Sequence, residues 1–294
     1  MSRRDPATGP IRTVAVVAKI GPPEGVRITK RLAEWLTARG IRVLLDEETA
    51  SVLGRADGIP RDSLPAHVDL AVSAGGDGTL LSVARSAAPL EIPVLGINYG
   101  SLGFITELQP MEALAGLEAV IEGRYEVEQR QTLRVRHAHR GSATREYAVL
   151  NDVVITKSAL SRMIAIGVRI DEDPVATYPS DGLIVATPTG STAYNLSAGG
   201  PILDPRMNAF VLSPICPHTM TYRPVVVPSD VTIDLTLRSP DEEVFATLDG
   251  QIGFPFLPED RLTIDSHPRP VRLVRVAGLG FFEILRRKLR WGER

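Results

Sequence analysis

Two rhythms of apolar and polar positions divide the chain near residue 125. Before it, solid apolar runs alternate with segments of helical spacing. Residues 13–18 (TVAVVA) form the first run, and Gly21, Pro22 and Pro23 end it. Over 25–39, Val26, Ile28, Leu32, Trp35 and Leu36 recur at helical spacing, and Gly40 supplies a C′ stop. Residues 41–45 predict a second strand. That makes a β-α-β unit, parallel and right-handed if both strands share a sheet. Residues 60–65 read as a turn-rich connection between two prolines. Val68, Leu70, Ala71 and Val72 predict a third strand, and Thr79, Leu80, Leu81, Val83 and Ala84 a helix that Pro89 closes. Residues 92–97 predict a fourth strand, leading into a second glycine-bearing loop over 98–104. Residues 111–122 predict another helix, with Leu114, Leu117, Val120 and Ile121 on its apolar face. Solid apolar runs suit strands covered on both faces. The first part is therefore expected to be an open, doubly wound, Rossmann-like α/β sheet, with ligands at the carboxyl ends of its strands.

After residue 125 the rhythm shortens to alternation. Residues 125–140 alternate polar and apolar, and 147–155 and 164–170 look alike. Short runs at 183–186, 209–215, 225–227, 231–237, 244–248, 262–265 and 271–277 follow, most ending in Pro, Gly or Asp turns. That pattern predicts an all-β sandwich. The expected division is residues 1–124 for the α/β domain and 125–279 for the sandwich. An amphipathic helix over 280–294 is expected to pack back on the first domain, its basic residues forming a solvated face.

Composition narrows the partners. The chain has 294 residues, 44% hydrophobic and 23% charged, enough for two cores. Its net charge of -2 argues against nucleic acid or an anionic membrane as a bulk electrostatic partner. The single cysteine, Cys216, excludes an intrachain disulfide and fits a reducing compartment. The first ten residues lack the apolar core of a signal peptide, and no apolar run approaches the ~20 residues that span a bilayer. A cytoplasmic location is expected.

The chemistry concentrates in two stretches. The first is the turn Gly75, Gly76, Asp77, Gly78, Thr79 between the third strand and its helix. Glycines there permit φ > 0 and remove side chains that would hold a phosphate away, and the helix start presents unpaired N–H groups. Asp77 then sits where an anionic, hydroxyl-bearing ligand would lie. An ordinary tight turn also uses Gly-Asp-Gly. The second stretch, 181–202 (DGLIVATPTGSTAYNLSAGGPI), carries Thr187, Thr189, Ser191 and Thr192 around Pro188 and Gly190, followed by a possible helix start at 192–198. Its hydroxyls and N–H groups suit phosphate or ribose, and a capping loop would use the same residues. Other signatures are absent. There is no G-x-x-x-x-G-K-[ST], and the glycine turn fails G-x-G-x-x-G at its last position. Ser101, Ser191 and Ser197 lack a G-x-S-x-G context, and no His/Cys group has metal-ligand spacing. His137 and His139 read as surface histidines.

Three blocks in order, 75–79 (GGDGT), Asn151-Asp152 before a strand, and 181–201, closely resemble the ATP-dependent NAD kinases over roughly residues 13–290. Diacylglycerol-type lipid kinases and phosphofructokinases share a turn like the first block. The third block separates the NAD kinases from them. The resemblance implies a homo-oligomer, a homodimer or homotetramer. It implies a catalytic Asp77 and a dinucleotide site built from Asp77, Gly78, Asn151, Asp152, Asp181, Thr192, Ala193, Tyr194, Asn195, Leu196, Ser197 and Gln251.

This chain departs from the pattern at three places. Asp152 replaces the usual Glu, Pro179 replaces a basic residue, and Ser82 replaces a frequent Arg. Arg162 is a candidate substitute for the charge missing at 179. The implied reaction moves the γ-phosphoryl of ATP to the 2′-hydroxyl of the adenosine ribose of NAD. A divalent ion, most simply Mg²⁺, would be held largely by ATP oxygens. A carboxylate's reference pKa of about 3.9 lies far below that of a ribose hydroxyl. The aspartate would therefore align the hydroxyl and take its proton late in the transfer. A lipid kinase sharing the turn and a non-catalytic NAD(P) sensor are the competing readings.

Overall fold

The computed structural model describes residues 9–292 apart from 22, 101–102, 140–141, 159–161, 240–242 and 277–278. Pro22, Ser101 and parts of the runs expected over 125–140, 271–277 and 280–294 lie outside the described residues. The chain forms two compact units, one from residues 1–129 and 271–294 and one from 130–270.

The first unit carries β1 (Thr13–Ala18), α1 (Pro23–Thr37), β2 (Arg42–Leu45), α2 (Glu47–Val52), β3 (Leu70–Gly75), α3 (Asp77–Ala87), β4 (Val94–Asn98), α4 (Ala113–Ile121) and β5 (Glu126–Arg130). The last strand and helix of the chain, β18 (Val271–Arg275) and α6 (Phe281–Leu289), return to it. Its sheet has the order β2-β1-β3-β4-β18-β5. β1 runs parallel to β2 and β3, and β4 parallel to β3 and β18. Val14, Val16, Leu70, Val72, Leu95 and Ile97 pack with Leu32 and Leu36 of α1 and Leu117 and Val120 of α4. The solid apolar runs are thus covered as expected of parallel strands.

The second unit holds β6 (Leu133–Ala138), β7 (Arg145–Val149), β8 (Asp152–Lys157), β9 (Ile164–Ile170), β10 (Asp173–Ser180), β11 (Gly182–Ala186), α5 (Tyr194–Ser197), β12 (Ala209–Ile215), β13 (Val225–Pro228), β14 (Ile233–Leu237), β15 (Val244–Leu248), β16 (Ile252–Pro255) and β17 (Arg261–Ser266). Its antiparallel sheets have the orders β10-β9-β14-β17-β6-β7 and β13-β12-β11-β8-β15-β16. Ile166, Val168, Leu235 and Ile264 of one share a core with Val153, Ile155, Val185, Phe210 and Leu248 of the other. A sandwich results, as the alternation predicts. The outer face of the second sheet is apolar as well. Val154, Ile184, Ala186 and Val211 pack there under Leu203, so the segment after β11 folds back over β8, β11 and β12.

Five parts differ from the sequence reading. The run 147–155 is two strands, β7 and β8, broken at Leu150-Asn151. The run 125–140 is two strands, β5 in the parallel sheet and β6 in the sandwich, broken at Gln131-Thr132. Alternation continues through that break and hides it. β18 looks like a sandwich strand but joins the parallel sheet beside β4. Val271, Leu273 and Val274 are buried, and so is Arg272 between them, as a central strand requires. β10 contains Pro174 and Pro179, which obscure it. It is an edge strand, where a missing N–H donor is tolerated. α2 is too short for a periodic signal; Asp46 caps it by accepting the Thr49 N–H at 3.2 Å. No described helix is long and apolar enough to cross a membrane.

Candidate active site

In the first unit β3 stops at Gly75, Gly76 is extended (φ −146°) and Asp77 opens α3. Gly75 is required by crowding. A Cβ there would lie 2.4 Å from the Thr79 hydroxyl and 2.9 Å from Lys19 Cβ. Gly78 is exposed and has nothing within 4 Å of where a Cβ would stand, so the space beside the turn is open.

The Asp77 carboxylate is held by the second glycine loop. Oδ2 accepts the Phe104 N–H at 2.8 Å, and Oδ1 lies 3.3 Å from both the Thr106 N–H and hydroxyl. Gly103 allows that approach, since a Cβ would come within 2.2 Å of Oδ1. The loop is tied back by the Tyr99 N–H, which donates to Gly75 O at 2.7 Å. Each carboxylate oxygen offers about two lone pairs, so Oδ2 keeps one for a ligand hydroxyl.

Two cations lie near this turn without having been legible beforehand. Lys19 is exposed just beyond β1, beside Gly75. Arg61 bonds Asp46 at 2.5 and 2.9 Å, and its Nη1 lies 3.5 Å from the hydroxyl of Ser82. The same guanidinium also bonds Glu48 at 2.9 Å.

In the second unit Asn151 and Asp152 stand at the start of β8, against the β15–β16 hairpin. Asp249 at that hairpin has φ 51°, and Gly250 has φ 65°. The buried Asp249 carboxylate accepts the N–H groups of Leu150 (3.1 Å), Asn151 (2.6 Å) and Asp152 (3.3 Å). Beside it lies a cavity of about 340 Å³ lined by Asn151, Asp152, Thr156, Ala193, Tyr194 and Asp249, among others. Burial first, and then the Asp249 charge, push the Asp152 carboxyl up to about 7; the Tyr194 backbone N–H opposes them.

A raised carboxyl pKa means the unfolded chain ionises before the fold does. Stability is then greatest below the unfolded value, near 4, and falls as pH rises toward 7. Asp152→Asn removes that term. In thermal melts the variant is expected to gain on the parent from pH 5 to pH 8, by roughly 2 kcal/mol. A gap independent of pH would contradict the assignment.

The stretch after β11 packs against this turn. The Thr187 N–H donates to Asn151 O at 2.9 Å, and its hydroxyl donates to Leu150 O at 2.6 Å. Gly190 is required because a Cβ would lie 2.0 Å from Asn151 O. Ser191 donates to Pro188 O, and its oxygen accepts the Leu203 N–H. Asn195 is buried; its amide donates to Ser191 O and Pro201 O and accepts from Ser213. These side chains hold the loop.

Those left toward solvent are Tyr194, 45% exposed, and Ser197, with Thr192, Ala193 and Leu196 half-buried. The helix expected from 192 is a 3-10 turn at Gly190–Thr192 followed by the single turn α5. Of the expected residues, the cavity gathers Asn151, Asp152, Ala193 and Tyr194. Asp181, half-exposed and 3.7 Å from Lys157 Nζ, lies outside its described lining. So do the exposed Arg162 and Gln251. Asp249 was not anticipated as a site residue, although the Asp-Gly turn that carries it was visible.

Residues 14–125 match the model of the ATP-NAD kinase N-terminal domain, and 150–276 that of the ATP-NAD kinase C-terminal domain. An NAD kinase from Geotalea daltonii is 46% identical over 97% of this chain and all of its own length. One from Solibacter usitatus is 43% identical over 97% of this chain and 99% of its own. Among solved structures, an NAD kinase from Archaeoglobus fulgidus in complex with ATP is similar at TM-score 0.75 and 29% identity, covering 95% of this chain and 98% of that one. Yeast NADH kinase complexed with NADH shares the fold at TM-score 0.87 and 23% identity, over 97% and 89% of the two chains.

Proposed function

The chain belongs to the ATP-NAD kinase family, and from that premise we propose that it moves the γ-phosphoryl group of ATP to the 2′-hydroxyl of the adenosine ribose of NAD, with Asp77 as the catalytic carboxylate. The observation that carries this reading is the Asp77 carboxylate. It is oriented by N–H donors from the 104–106 loop beside an open glycine turn, with an Oδ2 lone pair available. Phosphoryl transfer is loose and charge-dominated, so the protein mainly positions groups and neutralises charge. In this proposal Asp77 aligns the attacking hydroxyl and accepts its proton late.

The backbone of Gly75, Gly76, Gly78 and Thr79 faces the phosphates, and Lys19 adds positive charge. Asn151 and Asp152 hold the dinucleotide, supported by Ala193 and Tyr194. Asp181, Thr192, Leu196, Ser197, Gln251 and Arg162 are assigned outer contacts, and Asn195 a supporting role through its buried bonds. Among the described residues no three His, Cys, Asp or Glu side chains converge as a metal site. The divalent cation, Mg²⁺ in the simplest case, is assigned largely to the ATP oxygens. The same reading has the protein in the cytoplasm, which the single cysteine favours, without nucleic-acid or membrane partners, which the small net charge favours, and carries over the homodimer or homotetramer that the resemblance implies.

The test is NADP formation from NAD, ATP and Mg²⁺, coupled to an NADP-specific dehydrogenase. Sustained formation dependent on all three is expected. NAD binding by calorimetry without turnover would replace the proposal with a nucleotide sensor.

A further inference from the structure

We propose that Asp249 is a positioning residue for the dinucleotide: its buried carboxylate fixes the Leu150–Asp152 turn and so sets how Asn151 and Asp152 meet the ligand. This rests on the assignment of that pair to NAD. Three features carry it. The carboxylate collects three successive N–H groups, at 3.1, 2.6 and 3.3 Å, which fixes the peptide planes of the turn. The reverse bond, from the Asp249 N–H to Asp152 O at 2.9 Å, closes the pairing. A non-glycine residue at φ 51° is uncommon, and here it aims the carboxylate under the turn. The distance of 2.6 Å to the Asn151 N–H marks a charge-assisted bond, stronger than a neutral one.

The residue has a second effect on the same cavity. Asp249 and Tyr194 are the other titratable residues of the described lining, and the Asp249 carboxylate raises the Asp152 carboxyl beyond the effect of burial. Removing its charge should leave Asp152 ionised at lower pH. A residue that only stabilised the hairpin would not move that titration.

The discriminating variant is Asp249→Asn. Asn tolerates φ > 0, so the hairpin is retained. Its amide offers one acceptor oxygen in place of two, and the NH₂ meets an N–H of the turn. Relative to parent enzyme, KM for NAD is expected to rise at least about tenfold, equivalent to the loss of one buried hydrogen bond. KM for ATP should stay within about twofold. The Asp152 limb in the pH profile of kcat/KM for NAD should move to lower pH. Asp249→Gly keeps the backbone conformation without the carboxylate and should show the same pattern, which covers the case in which the Asn variant folds poorly. An unchanged KM for NAD, an equal rise in both KM values, or an unmoved limb would overturn the proposal. A parent that neither binds NAD nor forms NADP would sink the functional reading instead.

Discussion

Asp77→Asn should lose roughly 10²–10⁴-fold in kcat while still binding NAD, the range expected when a proton acceptor is removed. An amide offers no comparable basicity to a developing oxocation. The structure adds a second cost. With the NH₂ group at the Oδ2 position it would face the Phe104 N–H, and at Oδ1 it would face the Thr106 N–H and hydroxyl. Either orientation loses an acceptor from the second glycine loop, worth about 1–3 kcal/mol for a buried donor left unpaired. Steady-state NADP formation, NAD calorimetry and a thermal melt on the same preparation separate the two contributions. A small fall in Tm with retained NAD binding and collapsed kcat is expected. Turnover within a few-fold of the parent would remove Asp77 from the reaction.

Gly190→Ala should be the most damaging single-methyl addition in the second unit. The new Cβ would lie 2.0, 2.4 and 2.7 Å from the carbonyl oxygen, carbonyl carbon and Cα of Asn151. All three are backbone atoms, so no rotamer change relieves the collision. The 187–190 turn must lift from the start of β8, which breaks the 2.9 Å bond from the Thr187 N–H to Asn151 O. Overpacking of this kind typically costs about 1–3 kcal/mol. Here it also displaces one of the residues assigned to NAD, so Tm and NAD affinity should fall together. Gly253→Ala is the control. Its Cβ would meet only Ala246 O, at 3.9 Å, and it should change stability by no more than about 0.5 kcal/mol. Parallel melts and NAD titrations of the two variants check this. A Gly190→Ala protein indistinguishable from the control would show that the contact yields without cost.

The parts legible in the sequence were those with a local signature. Parallel strands announced themselves as solid apolar runs, sandwich strands as alternation, and the glycine turn as a break between a run and a helical spacing. What stayed hidden was pairing between distant segments. Nothing local distinguishes β18 from a sandwich strand, because the difference lies in its partner, β4, some 180 residues earlier. The hydroxyl-rich stretch 187–195 illustrates a different limit. Its composition suits phosphate, yet Thr187, Ser191 and Asn195 spend their hydrogen bonds on backbone groups of their own unit. Composition counts donors and acceptors; only tertiary placement says where they point. The same holds for Asp249. The Asp-Gly turn was visible, but its three N–H partners lie almost 100 residues upstream.

The return of β18 bears on how the chain comes off the ribosome. The parallel sheet is built from the first 130 residues except for one central strand, which is made after the whole sandwich. Until residues 271–275 emerge, β4 has an open edge and β5 has no neighbour. At about 5–20 residues per second, the wait for the 140 or so intervening residues lasts roughly 7–30 seconds. During it the nascent N-terminal segment presents unpaired strand edges, the kind of surface that chaperones shield. The sandwich, whose strands pair among themselves, needs no later segment. The genetic order and the folding order are therefore inverted: the domain interrupting the gene can be completed first, and the domain that begins it closes only with the C-terminus.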